Sequence, residues 1–148
     1  MSIIYEIGIT ENNNKAIEKK QSIEVIASKG IIGDRYFHDF NGNREQITLI
    51  ESENIDYYNN TFNTDFGYLD FRRNLVTKNI RLNNLVGKTI IVGEIKLKVN
   101  DLCRPCKNLQ NRLGKNNIIK EFLKRGGLRC EILSSGNINV GDKIIIKT

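Results

Sequence analysis

The stretch Thr89-Ile90-Ile91-Val92, Gly93-Glu94, Ile95-Lys96-Leu97-Lys98-Val99 constrains the fold more than any other part of the chain. Two β-rich runs flank a two-residue turn, and the second alternates apolar residues with lysine, the period-two mark of a strand with one buried face. Short Ile and Val runs recur along the chain, with one proline and twelve glycines, so it reads as mainly strands joined by turns. Further strands are expected at residues 3–9, 22–27, 46–50, 74–77, 129–133 and 143–147, the last introduced by Val140-Gly141-Asp142. Residues 3–9 and 22–27, separated by a polar stretch with Asn12-Asn13-Asn14 as a turn, suggest an opening hairpin. Regularly spaced short strands predict a mainly β barrel or sandwich.

Two stretches break this pattern. Residues 51–60 carry Ile55 and Tyr58 at helical spacing, and residues 117–125 carry an apolar stripe of Ile118, Ile119, Phe122 and Leu123. Both read as short helices, the second with Asn117 as N-cap and Gly126-Gly127 as its stop. At 148 residues the chain fits a single domain, 1–148, with no internal repeat or linker.

No apolar run approaches the ~20 residues that span a bilayer, and the first residues lack the pattern of a signal peptide, so no membrane partner is expected and the expected compartment is the cytoplasm. The net charge of +6 suits anionic partners. Nucleic acid is not the expected one, because the basic residues are scattered, with no long tract and no aromatic ladder among them.

Three cysteines cannot all pair internally, and a reducing compartment would keep them as thiols. Cys103-Arg104-Pro105-Cys106 follows the hairpin directly, where a strand gives way to a loop, and Arg104 and Lys107 suit negative charge on sulfur. An active cysteine, a dithiol redox pair and plain core filling all remain open readings. Zinc is disfavoured, since only Cys130 and His38 remain as further ligands and neither has ligand spacing.

Phe71-Arg72-Arg73-Asn74 places two guanidinium groups and an amide at the start of a strand. That set suits clamping a phosphate or carboxylate, but it equally suits two solvent-facing arginines and a turn. Gly30-Ile31-Ile32-Gly33-Asp34-Arg35 is punctuated by glycine but lacks the Lys and Ser/Thr of a phosphate loop. His38, the single histidine, sits beside Asp39 and fits an exposed or structural role better than a catalytic one.

Taken in order, Gly30 to Arg35, Arg44-Glu45-Gln46-Ile47-Thr48-Leu49-Ile50-Glu51, Arg72-Arg73-Asn74-Leu75-Val76-Thr77, Leu85-Val86-Gly87, Leu102-Cys103-Arg104-Pro105-Cys106-Lys107, Gly126-Gly127-Leu128-Arg129 and Val140-Gly141-Asp142 resemble the MOSC domain family, named after the C-terminal domain of molybdenum cofactor sulfurase. The resemblance implies a β-barrel with a few short peripheral helices and a cysteine that ligates the molybdenum of a pterin cofactor or carries sulfur. Cys106 falls at the ligand position, whereas the Cys103 position is not always cysteine. Arg72 and Asn74 fall where the family contacts molybdopterin, Arg73 and Cys103 beside them, and Arg44 near another lining position. Barrel closure is expected to bring Arg72 and Asn74 to the cavity that holds Cys106.

The implied function is a molybdenum cofactor protein, an oxidoreductase acting on N-hydroxylated compounds as in the amidoxime-reducing relatives, with electrons from a separate protein. The alternatives are a sulfur carrier that receives a Cys106 persulfide from a sulfur donor, and a non-catalytic module that delivers the cofactor. Pyridoxal phosphate is not expected.

Overall fold

The computed structural model describes residues 1–39 and 45–147. Among these residues eleven strands and three short α-helices follow in chain order: β1 Ile3–Ile9, β2 Glu18–Lys20, β3 Ser22–Ile26, β4 Gly30–Ile31, β5 Ile47–Glu51, α1 Ser52–Phe62, β6 Leu75–Lys78, β7 Thr89–Val92, β8 Ile95–Leu102, α2 Lys107–Leu113, α3 Ile118–Glu121, β9 Leu128–Ile132, β10 Gly136–Asn139 and β11 Ile144–Lys147. The chain is mainly β, as its periodicity indicates.

Eight strands form one curled sheet in the order β11-β7-β8-β9-β5-β6-β1-β2, and β10-β3-β4 form a second. Every pairing in the large sheet is antiparallel except β5 with β6, which run parallel across the crossover helix α1. The curl brings β1 to the turn before β11. Ile4 N–H donates to Asp142 O at 2.9 Å and Gly141 N–H to Ile4 O at 2.8 Å, with a single bridge between Ile3 and Lys143.

The expected hairpin is β7 and β8, with Val92 opposite Ile95 across Gly93-Glu94. The opening hairpin is different from expectation. β1 pairs with the short β2 and with β6, while β3 lies in the other sheet against β10 and β4. Residues 18–20 are charged and carry no apolar alternation, so their pairing comes from the neighbouring backbone rather than from their own pattern.

β5 shows why this sheet has two apolar faces. All five of its residues are buried. Leu49 and Leu75 point into the barrel with Ile7, Leu97, Leu128 and Ile132. Ile50 and Val76, one residue on, point outward against Ile55, Tyr58, Phe71, Leu109, Ile118 and Phe122. A strand sandwiched between core and helices reads as a continuous apolar run. Each fully buried Ile or Leu contributes roughly 1.5–3 kcal/mol, so this outer cluster is enough to hold three short helices in place.

The helix expected over 51–60 is α1, closed by Asn63 in the left-handed conformation. In the second helical stretch only Ile118–Glu121 is α-helical, and Asn117 does not cap it with its side chain, which instead accepts from Tyr58 Oη. Gly127 is required where it stands. Its φ is +98°, and a Cβ there would lie 1.7 Å from Leu49 O. Helix α2 has no counterpart among the expected elements. Its signals are short: Cys106 before it, Leu109 and Leu113 four apart, and Gly114 at φ +69° after it.

Candidate functional site

The glycine-punctuated segment 30–35 is a scaffold for one arginine. Gly33, at φ +89°, turns the chain so that Asp34 becomes a buried hub. Asp34 Oδ1 accepts from Thr10 N–H at 3.1 Å, Arg35 Nη1 at 3.2 Å and Asn74 Nδ2 at 3.3 Å, and Oδ2 accepts from Tyr36 N–H at 3.3 Å. Arg35 is thereby held with its guanidinium 4.3 Å from the Tyr36 ring centroid, while its Nη2 donates to Arg72 O at 2.8 Å. Among the described residues, Arg35 Nε is a buried donor with no hydrogen-bond partner. An orphaned buried donor on a charged group costs free energy unless a ligand completes it.

Arg72 and Arg73 leave the same turn for different places. Arg72 caps the 3-10 turn Tyr68–Phe71 in the left-handed conformation, φ +65°. Its Nη1 donates to Lys15 O at 2.8 Å and its Nη2 reaches Asn12 O and Asn13 O at 3.4 Å. Arg73, nearly buried, donates from Nε to Gly126 O at 2.8 Å and from Nη1 to Phe71 O at 3.3 Å. Asn74 is fully buried. Its Oδ1 accepts from Thr48 N–H and Oγ1, and its Nδ2 donates to Gly8 O and Asp34 Oδ1. All four hydrogen-bonding positions of the amide are taken by protein groups.

The two cysteines of the 103–106 loop differ sharply. Cys103 is buried at the end of β8, its N–H donating to Gly127 O at 2.7 Å. Burial pushes its thiol up, against the opposing pull of the Arg73 charge. Its other charged neighbours are Glu45, Arg129 and Asp101, the last two joined by a paired bridge with Arg129 Nε 2.9 Å from Asp101 Oδ1 and Nη2 2.6 Å from Oδ2. Cys106 is exposed. It occupies the N-cap of α2, its Sγ accepting from Leu109 N–H at 3.4 Å. Cys130, opposite Val99 in the barrel, is wholly buried and its thiol is pushed up strongly. Arg44 lies outside the described residues.

Arg112, on the last turn of α2, donates from Nη2 to Asn13 O at 2.6 Å. The charges of Arg112 and Arg35, together with a larger effect of burial, hold Arg72 below the usual guanidinium range. Among the described residues neither Arg72 nor Arg112 has a carboxylate within 4 Å, so like charges meet here balanced only by carbonyl oxygens and Asp34. Arg72, Arg112 and Asp70 border a cavity of about 310 Å³ over the apolar Ile17, Phe66, Leu69 and Leu113. Cys106 is not part of that lining and connects to it through helix α2.

In the sequence Arg35 is signalled only by its place after Gly33-Asp34, and Arg112 carries no signal, because its partner carbonyl is 99 residues away. Among the described residues no group of three or more His, Cys, Asp and Glu is arranged to hold a metal ion. No described helix is long and apolar enough to cross a membrane.

No curated protein matches the chain. Among solved structures, the chain is similar to the YuaD protein from Bacillus subtilis, with 16% identity, a TM-score of 0.84, and coverage of 99% of this chain and 96% of that one. YiiM from Geobacillus stearothermophilus follows at 14% identity and TM-score 0.81, covering 100% and 76%. YiiM from Escherichia coli stands at 17% and 0.75, covering 99% and 68%. At these identities the likeness establishes the fold. The family model of the MOSC domain matches residues 37–145, which takes in β5 to β9, the Arg72–Asn74 turn and the cysteine loop, and on that match the chain belongs to the MOSC domain family.

Proposed function

We propose that the protein binds molybdenum cofactor with Cys106 as the protein ligand of the metal, and that it is an oxidoreductase acting on N-hydroxylated compounds. The observation that carries this reading is the crowding of Arg35, Arg72 and Arg112 around a single carboxylate, Asp34, together with the orphaned Arg35 Nε. Like charges held together against their own repulsion mark an anion site, and guanidinium forks suit the phosphate and the polar ring edges of a pterin.

The residues fit the group. Cys106 offers an exposed thiol, and a soft sulfur ligand suits a thiophilic metal. Arg72 and Arg112 would take anionic oxygens in exchange for the carbonyls of residues 12–15, and Arg35 would gain a partner for Nε. Asn74 acts behind them, locking β5, β6 and Asp34 together. When bound, molybdenum supplies the redox chemistry and oxygen transfer that no side chain here can perform. The net change takes up two electrons and two protons, replaces N–OH by N–H and releases water, the electrons arriving from a separate protein and the protons from solvent.

The exposure of Cys106 favours a second reading, a persulfide carrier loaded by a sulfur donor. A cofactor-delivery module is a third. Metal and pterin analysis of protein made in a host that synthesises the cofactor separates them. Stoichiometric molybdenum that is lost in Cys106→Ser supports the first or third, and turnover of an N-hydroxylated substrate with an artificial donor selects the first. A molybdenum-free protein carrying Cys106 persulfide leaves the second.

A further inference from the structure

On the face of the barrel bordered by α1, a polar groove runs between that helix, the segment after β6 and the turn after α3. It consists of two contiguous cavities of about 480 and 440 Å³, which share Glu51, Asn54, Arg81 and Arg125. That size falls in the range of small-molecule sites, roughly 300–1,000 Å³. Arg81 and Lys124 are exposed, and Arg125 is half-buried over the Tyr57 ring, 4.2 Å from its centroid. Among the described residues none of these three cations has a carboxylate within 4 Å, although Glu51 and Glu53 line the same walls.

The acids are engaged otherwise. Glu53 accepts from Asn79 N–H at 2.8 Å and from Ser52 Oγ at 3.3 Å. Glu51, buried, accepts from Leu82 N–H through Oε2 at 3.0 Å, and among the described residues its Oε1 accepts no hydrogen bond. Burial pushes the Glu51 carboxyl up, with Arg81 opposing. The groove therefore combines a cationic rim of three side chains that make no direct ion pair among the described residues, a carboxylate acceptor on its floor and an aromatic ring at one end.

We propose that this groove binds a phosphorylated, hydroxyl-bearing small molecule of the sugar-phosphate class, its phosphate on Arg81, Lys124 and Arg125 and a hydroxyl donated to Glu51. A phosphate dianion matches a rim of two guanidinium forks and an ammonium better than a single carboxylate does, since its oxygens can take donors from several sides. The free Glu51 oxygen favours a ligand with a hydroxyl on its body, because such a donor can reach the floor while the phosphate stays on the cationic rim. Arg125 precedes Gly126, whose carbonyl holds Arg73 and where an added Cβ would lie 2.3 Å from Cys103 O.

The test is isothermal titration of the purified full chain with ribose 5-phosphate, and with inorganic phosphate and ribose as separate arms. Ribose 5-phosphate is expected to bind saturably in the millimolar range or tighter, inorganic phosphate about tenfold more weakly and ribose not at all, on the scale of one charge-assisted hydrogen bond. Arg81→Ala and Arg125→Ala, both outside the core, should each weaken ribose 5-phosphate by about tenfold or more. Glu51→Gln should preserve phosphate binding and narrow the gap between the two probes. No saturable binding up to about 10 mM, equal affinity for phosphate and ribose 5-phosphate, or affinities unmoved in both arginine variants overturns the proposal. Because the assay needs no molybdenum and leaves Cys106 intact, its outcome is independent of the cofactor reading.

Discussion

Arg72 and Arg112 hold the same loop, Arg72 Nη1 donating to Lys15 O at 2.8 Å and Arg112 Nη2 to Asn13 O at 2.6 Å. One arginine belongs to the turn before β6 and the other to the helix that Cys106 caps, so residues 12–15 join the two halves of the candidate site through backbone oxygens alone.

That linkage predicts that Arg112→Ala loosens a distant loop. Hydrogen exchange at residues 12–16 should quicken clearly, while global stability changes by no more than about 1–2 kcal/mol, the worth of one partly exposed charged hydrogen bond. Exchange as slow as in the parent would mean that Arg72 and the Lys15–Glu11 contact hold the loop without it.

The thiols should react in a fixed order. Native alkylation with iodoacetamide is expected to modify Cys106 alone, because Cys103 and Cys130 are buried and their thiols are pushed toward the protonated form. Peptide mapping after short exposure reads the result. Early label on Cys103 would contradict its burial and reopen it as the working sulfur.

Stability should fall as the solution becomes alkaline. Cys103 and Cys130 bind their protons more tightly folded than unfolded, and so do Tyr36, Tyr58 and Tyr68, the last pushed up to about 12 by its hydrogen bond to Asp56. Below about pH 8 both states are protonated at these groups; above about pH 8.5 the unfolded thiols ionise first, and the tyrosines follow from about pH 10. Urea midpoints should therefore drop across that range, and replacing Cys103 and Cys130 together by Ala should flatten the first part of the drop. An unchanged slope in that variant removes the thiols as its source.

Asn74→Ala should destabilise the domain by about 3 kcal/mol or more, since it strands Thr48 N–H, Gly8 O and part of the Asp34 hub in a buried place. A variant of near-parent stability with lost cofactor retention would instead assign Asn74 to ligand contact. Equilibrium unfolding measured beside metal content distinguishes the two.

Gly127→Ala should be among the most damaging single changes, because the added methyl would overlap Leu49 O at the β5–β9 pairing and sit at a φ that alanine resists. Loss of soluble protein, or a thermal midpoint lowered by several degrees, is the expected outcome. A variant as stable as the parent would require β5 to have shifted.

The β class was legible in the chain itself. Ile95-Lys96-Leu97-Lys98-Val99 declares a half-buried strand by its alternation, Gly93-Glu94 declares the turn, and Ile55 with Tyr58 declares α1, because each of these signals lies within a few residues of backbone. The order of segments that resembles the MOSC family is equally legible there, and it contains Cys103, Cys106, Arg72 and Asn74.

What the chain could not announce was where side chains meet. Asn74 reads as part of an anion clamp or as a turn residue at the start of a strand, and only the packing of β1, β5 and β6 encloses it. Arg72 and Arg73 are neighbours that part because a left-handed residue turns one toward Lys15 and the other toward Gly126. Arg35, Arg72 and Arg112 come together through the curl of one sheet and the seating of α2 on Leu109 in the outer cluster. Periodicity is a local property and determined the strands; the charge crowding, the orphaned donor and the contrast between buried Cys103 and exposed Cys106 depend on long-range packing, which the tertiary structure alone decided.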